Sequence, residues 1–300
     1  MGFTELSHAF IAAKYYVYLK EIFGDRGEAA FLHATRYYGE QRGRRMAQRA
    51  IRDGKPLTYE TYCQYGEWVN TEEVKAQGLG NQSETTSLSP DFQIHIHVCP
   101  WHTQFKNMGL PEAGLLYCKD LDASISRGFN PEIRYEVSQT LHDHDYCIQT
   151  IRNAGLTPES NMAKNPAGLR SFEYHCAHSY WAYREVCEAI FGEEGTRIAE
   201  RVLDDFMITV YHVLRRDTLL LGPDGDGHAM LVGTADEKHV FLLQTKVTHV
   251  NVRRNIHPCQ MTDVHRTVGV WQSRRDGRSL EILFHFLYFK QLYPTLSGIR

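Results

Sequence analysis

The sequence predicts an α+β protein in which N-terminal helices are followed by a small antiparallel sheet, an order that recurs in two related halves. Three observations carry this reading. Apolar residues recur at spacings of three and four from Ala9 onward, the period of a helix with one buried face. At Phe92 the pattern switches to strict alternation, the period of a half-buried strand. Finally, the stretch from Tyr15 through Ile22-Phe23-Gly24-Asp25-Arg26-Gly27 lines up with that from Tyr183 through Ile190-Phe191-Gly192-Glu193-Glu194-Gly195, which suggests an internal duplication.

The elements follow in order. Ala9, Ala12, Ala13, Tyr16, Leu19 and Phe23 form the buried stripe of a first helix, which Gly24 and Gly27 end. From Glu28 to Arg52 good helix formers continue, with Gly39 and Gly43 four apart and able to let another helix approach closely. Thr58, with Tyr59-Glu60-Thr61 after it, opens a third helix toward Val74, and a polar loop runs from Gly78 to Pro90. Phe92, Ile94, Ile96 and Val98 then alternate with polar residues until Pro100 ends the strand. A helix around Leu115, Leu116 and Leu121 stops at Gly128-Phe129-Asn130-Pro131. The alternating run Ile133 to Leu141, the turn His142-Asp143-His144-Asp145 and the run Tyr146 to Ile151 make a hairpin. Beyond a linker at 153–165, helices extend to about Arg216, a turn falls at Pro223–Gly227, and strand-like runs occupy Val240 to Val252 and Thr267 to Gln272. Two domains are therefore expected, 1–155 and a related, degenerate 166–300.

Composition excludes several classes of function. With Lys+Arg 33 against Asp+Glu 36 the net charge is -3, so no basic field holds a nucleic-acid backbone. No apolar run reaches the roughly 18 residues of a membrane span, and Met1–Leu6 shows no basic n-region before an apolar h-region, so no secretory signal is expected. The expectation is a cytoplasmic protein with reduced thiols, acting on a small molecule, with homo-oligomerisation left open. Seven cysteines are too few for a disulfide scaffold, and their odd number leaves one unpaired.

The chemistry-bearing residues fall in three clusters. If Phe92, Ile94, Ile96 and Val98 face the core, then His95, His97 and Cys99 share the other face, and His102 lies just beyond. Such a wall can supply a nucleophile with its base, or ligands to a soft divalent ion. Cys118 and Asp122 stand four apart on one helix face, while Asp120 points elsewhere. The hairpin turn His142-Asp143-His144-Asp145 with Cys147 is the third; aspartates are ordinary in turns, two histidines with them less so, and Cys147 shares a strand face with Asp145. No Cys-x-x-Cys, His-Glu-x-x-His, phosphate loop or nucleophile elbow occurs, so no cofactor is expected and zinc remains an alternative rather than a requirement.

The order Cys99-Pro100, Tyr117-Cys118 with Asp120 and Asp122, Gly128-Phe129-Asn130-Pro131, and Asp145 followed by Cys147 resembles the L-2-amino-thiazoline-4-carboxylic acid hydrolase family. The helical segment from Phe23-Gly24 through Gly39–Ala47 is similar to that family's N-terminal part, and the resemblance covers residues 5 to 155. One departure is His144, where the resemblance expects a glycine. The resemblance implies hydrolytic opening of a small cyclic amidine-like ring at a C–N or C–S bond. On that reading Cys99 is the nucleophile or a ligand, His97 or His95 its base, and Asp145 with His144 an orienting or protonating pair. Cys118, Asp122, Cys147 and His102 line the substrate site, and Arg127 or Arg134 is available to a substrate carboxylate. The alternatives are a zinc-activated water, a non-catalytic ligand- or metal-binding protein, and a biosynthetic enzyme on the same scaffold.

Overall fold

The computed structural model describes residues 3–211. The turn at Pro223–Gly227 and the strands expected at Val240–Val252 and Thr267–Gln272 lie outside them. One compact unit runs from Gly2 to Leu203, across the expected boundary at 155–166. Of the second unit, Asp204 onward, the described residues hold only the end of a helix and a π-helical turn, Met207–Tyr211.

The chain opens with α1 (Glu5–Phe23) and α2 (Asp25–Arg52), separated by the single residue Gly24 at φ 56°. α2 therefore starts earlier than the expected Glu28, because one glycine in a backbone conformation closed to other residues makes the whole corner. The third helix expected toward Val74 is two short ones, α3 (Tyr59–Gln64) and α4 (Glu72–Ala76). The chain between them turns inward to bury Glu67 completely.

The sheet has four antiparallel strands: β1 (Gln82–Ser87), β2 (Phe92–Val98), β3 (Arg134–Gln139) and β4 (Cys147–Arg152), in the order β1-β2-β4-β3. The β3–β4 hairpin lies where alternation puts it. β1 lies in what reads as loop, since an all-polar exposed edge strand, Gln-Ser-Glu-Thr-Thr-Ser, has no apolar alternation to betray it. Pro100 both ends β2 and opens α5 (Pro100–Asn107), its missing N–H costing nothing at a first helical position. α6 (Pro111–Phe129) then leads into the hairpin. Phe92 and Ile151 on the inner face of the sheet form a core with Tyr59 and Leu156.

α2 and α6 meet backbone to backbone. A Cβ on Gly43 would stand 1.9 Å from the Ile125 carbonyl oxygen, and one on Gly128 2.3 Å from that of Glu40. Around this seam Arg36 pairs with Asp120 and Arg127 with Glu40.

α7 (Phe172–Phe191) packs against α1 and α2, and α8 (Glu193–Phe206) follows it. Gly192, at φ 59° and ψ -132°, repeats the corner of Gly24, at φ 56° and ψ -129°. Gly27 and Gly195 each lie against the preceding helix, at Leu19 and Cys187 respectively. Equivalent residues of the two hairpins face one another: Phe23 stacks on Phe191 at 3.8 Å between ring centroids, and Tyr15 on Tyr183 at 5.1 Å. The similarity is thus a pair of helical hairpins. The sheet of a second half falls outside the described residues, and duplication of the entire helices-then-sheet pattern is not shown.

Between α1, α2 and α7 lies a polar layer. Arg45 holds Glu67 through both carboxylate oxygens at 2.9 and 2.7 Å, Arg49 donates to it at 2.7 Å, and Arg42 stands 3.7 Å away. Trp101 donates to His8 Nδ1, so His8 is neutral with its proton on Nε2, 2.9 Å from the Tyr38 hydroxyl. His175 Nε2 meets the Glu67 carbonyl at 3.2 Å, and His178 Nε2 meets Gln41 at 2.8 Å. No helix among the described residues is long and apolar enough to cross a membrane.

Candidate active site

The register of the sheet decides which side chains meet. Ile96 pairs with Cys147 and Ile94 with Gln149, and directly opposed residues share a face. Cys147 and Gln149 therefore stand on the inner face, toward α6. There the Gln149 amide donates to Asp122 Oδ2 at 2.9 Å and accepts from the Tyr135 hydroxyl at 2.6 Å. As their spacing on α6 requires, Cys118 and Asp122 share this side, while Asp120 points away to Arg36.

The single wall of His95, His97 and Cys99 divides. His95 pairs with Glu84 and Ile148 on the outer face, where Glu84 lies 3.8 Å from His95 and 3.2 Å from His97, and Tyr146 stacks on His95. β2 ends at Val98 and the chain turns into α5, so Cys99 stands instead among Cys118, Cys147 and Asp122. His144 and Asp145 are exposed in the turn, with His144 paired to Asp143 at 3.1 Å. Thr140 holds that turn by donating twice to Asp143, once from its N–H and once from its hydroxyl. Arg127 is spent on Glu40, and Arg134 is exposed on β3.

The histidine that enters the cluster is His142, which belongs to the hairpin-turn group but is given no role there. Its Nε2 lies 3.5 Å from Cys118 Sγ, and its ring meets His102 edge-on at 4.9 Å. Gly114 makes room for it, since a Cβ there would stand 2.1 Å from His142 Cε1. Gly114→Ala sets a gain in helix propensity of about 1 kcal/mol against overpacking of about 1–3 kcal/mol. Overpacking wins because the clash falls on a half-buried ring. The expected result is a lower denaturation midpoint and a displaced His142 imidazole resonance; an unchanged midpoint and resonance would sink it.

Burial dominates the electrostatics. It pushes the Cys99 thiol up to about 12, against the backbone N–H groups of His102 and Trp101 at the start of α5. It pushes Cys147 up to about 11, although the Leu141 N–H donates to its sulfur at 3.2 Å, and Cys118 well above the usual range. His142 is driven down to about 4, and His102 is lowered by burial and by Lys106. Asp122 is raised by burial, with Arg42, the Gln149 amide and Lys164 opposing. Cys99, Cys118 and Asp122 nevertheless keep part of their surface open. At neutral pH this cluster holds protonated thiols and neutral imidazoles beside a carboxyl whose pKa is raised by burial.

All six cysteines among the described residues are free, and Cys259 lies outside them. No group of three or more His, Cys, Asp or Glu among the described residues is arranged to hold a metal ion. Besides His142, the residues that sequence patterns pass over are Gln149, Tyr135 and Lys164. Of these, Gln149 carries a signal, standing two residues beyond Cys147 on the same strand face.

No curated protein and no solved structure matches the chain. The residues that bring Cys99, Cys118, Asp122, His142 and Cys147 together all fall in the segment 4–147, and it is over those residues that the chain matches the model of the L-2-amino-thiazoline-4-carboxylic acid hydrolase family.

Proposed function

We propose that the protein is a hydrolase that opens a small cyclic amidine-like ring of the thiazoline carboxylic acid type, with Asp122 as its acid–base group. The observation that carries this reading is the placement of Asp122: partly open, one oxygen held by Gln149, and close to three thiols, of which Cys118 meets His142. An amidine carbon is electrophilic, and its hydrolysis needs a proton taken from water and then given to the departing ring atom. A carboxyl raised toward the working pH does both. As water adds to the amidine carbon, Asp122 accepts its proton. When the tetrahedral carbon collapses, the bond to ring nitrogen or sulfur breaks and that atom takes the proton from Asp122. Gln149, itself fixed by Tyr135, keeps the carboxyl oriented throughout.

Magnitudes argue against a thiol nucleophile at Cys118. Moving its proton to His142 means transfer from a group well above its ordinary 9.0 to one near 4. Both shifts oppose that transfer, since burial disfavours the thiolate and the imidazolium alike. A second reading, with Cys99 as nucleophile, is favoured by the N–H groups of Trp101 and His102 near its sulfur.

Asp122→Asn tests the first reading. The expected result is a loss of about a hundredfold or more in turnover of 2-amino-thiazoline-4-carboxylic acid. A raised folded pKa means stability that is present below the ordinary 3.8 and lost as pH rises, so the same substitution is expected to raise the melting temperature at neutral pH. Retained turnover in Asp122→Asn, with turnover lost in Cys99→Ser, would transfer the role to Cys99.

A further inference from the structure

Arg42, Arg45 and Arg49 recur at spacings of three and four along α2, on one helix face, and that face is turned inward. An inward stripe is ordinarily apolar, because a guanidinium taken out of water needs acceptors and an opposite charge. Here three guanidinium groups share one carboxylate, Glu67, and no other carboxylate among the described residues lies within ion-pairing distance of them. Burial and the arginines keep His8, His175 and His178 uncharged at neutral pH, so those rings neither add to the excess nor answer it. Positive charge in this layer therefore exceeds negative.

The excess is concentrated on Arg42. Arg45 and Arg49 donate to Glu67, Arg49 also reaches the Tyr65 carbonyl at 3.1 Å, and both keep a margin of surface open. Arg42 is closed in, with 5% of its side chain exposed, and makes no hydrogen bond among the described residues. Its Nε is sealed from solvent without a partner, since Glu67 Oε2 at 3.7 Å stands beyond hydrogen-bond distance. Its guanidinium carbon lies 5.7 Å from the centre of the Tyr38 ring. The acceptors around it are already engaged: the Glu67 carbonyl takes the Arg170 N–H at 2.7 Å and meets His175 at 3.2 Å, and the Tyr38 hydroxyl meets His8. Gln41, the next residue on α2, gives its oxygen to His178 and leaves its amide nitrogen buried without an acceptor. Every buried side-chain atom of α2 that lacks a partner is a donor, namely Gln41 Nε2, Arg42 Nε, Arg45 Nη1 and Arg49 Nε. Bound water would fill those hydrogen bonds and leave the charge unanswered.

We propose that the polar layer is an anion-binding site centred on Arg42, whose guanidinium takes a small oxyanion, a carboxylate or a phosphate. The planar fork of a guanidinium matches two oxygens of either group. The site uses none of the groups assigned to hydrolysis and stands independently of that reading. It accounts for a guanidinium enclosed beside a carboxylate to which it does not bond, and for a run of buried donors with no acceptor. The degree of enclosure restricts the ligand to a small anion.

The test is thermal unfolding of the full chain, of Arg42→Gln and of Arg42→Lys, with sodium phosphate or sodium acetate replacing sodium chloride at constant ionic strength. An anion that binds only the folded chain stabilises it in proportion to the logarithm of its concentration. The expected result is a rise in the melting temperature of the unaltered chain of about 2–4 °C once phosphate or acetate stands at several times its dissociation constant. Arg42→Gln is expected to show no rise, and Arg42→Lys, which keeps the charge and loses the fork, a smaller one. In chloride alone Arg42→Gln is expected to be at least as stable as the unaltered chain, because it removes an unanswered charge. A rise with phosphate alone supports the site with an inorganic anion as its ligand, and one with acetate supports it with a carboxylate. Equal rises in the unaltered chain and Arg42→Gln overturn the assignment, since the anion then acts elsewhere. No rise with either anion overturns it in favour of bound water. A clearly lower melting temperature of Arg42→Gln in chloride also overturns it, making Arg42 a structural partner of Glu67.

Discussion

Glu67→Gln is expected to destabilise the protein by about 3–5 kcal/mol, the cost of removing one partner from a buried ion pair. Glu67 is completely buried and answers three guanidinium groups, with Arg45 on both oxygens, Arg49 on one and Arg42 close by. Burial alone would raise the carboxyl's pKa, yet the three arginines hold it well below the usual range. Neutralising it leaves three positive charges in a layer that also contains His8, His175 and His178. The Gln amide keeps the volume and one acceptor, so the loss measures charge rather than a cavity. A urea titration of the two proteins checks this, and a midpoint shift equivalent to less than about 1 kcal/mol, the ceiling for an exposed pair, would show that the cluster is not a buried ion network.

Acid is expected to unfold the protein earlier than its carboxylates alone would require. His8, His175 and His178 are buried, and burial drives all three pKa values down, His175 to about 3. Arg42 adds to the effect at His8 and His175, and Arg45 at His178. The unfolded chain takes up protons below about 6.5 while the folded chain does not. Stability is therefore present above pH 6.5 and lost as pH falls toward the folded values. Each histidine contributes a slope of about 1.4 kcal/mol per pH unit, so the three together approach about 4 kcal/mol per unit. Below about pH 4.5 protonation of Glu67 adds to the loss. The check is the urea midpoint between pH 7.5 and 5, which should fall from 6.5 downward and fall less steeply in His175→Gln. A flat midpoint across that range would exclude neutral, buried histidines.

The main elements were legible where periodicity reports burial. Strand alternation located β2 and the β3–β4 hairpin, the 3.6-residue period located α1, α2 and α6, and the paired glycines of α2 announced the close approach of α6. β1 was hidden because both its faces are polar, and the split between α3 and α4 because an inward-turning Glu67 looks like any acidic helix residue. The site was half legible for a related reason. Spacing correctly put Cys118 and Asp122 on one side of α6. Extending strand parity one residue past Val98 put Cys99 on one wall with His95 and His97, whereas the structure leaves those histidines beside Glu84 on the outer face. His142 reaches Cys118 only because a turn held by Asp143 aims it there and Gly114 leaves the space. The turn is local, but the space at Gly114 belongs to a helix nearly thirty residues earlier and cannot be read from the sequence around His142.

The facing of Phe23 with Phe191 and of Tyr15 with Tyr183 gives the two helical hairpins a local two-fold relation, yet both are encoded in one chain. In two identical subunits a residue near such an axis can change only together with its counterpart. Here each side varies alone, as Leu19 opposite Cys187 in the sequence alignment already illustrates. The same alignment sets Met207 and Tyr211 against Gly39 and Gly43. The backbone-level seat that those glycines offer α6 is therefore built on one hairpin only. Symmetry is kept where the hairpins meet and broken where the helix bearing Cys118 and Asp122 docks, so that among the described residues the glycine seat belongs to the first hairpin.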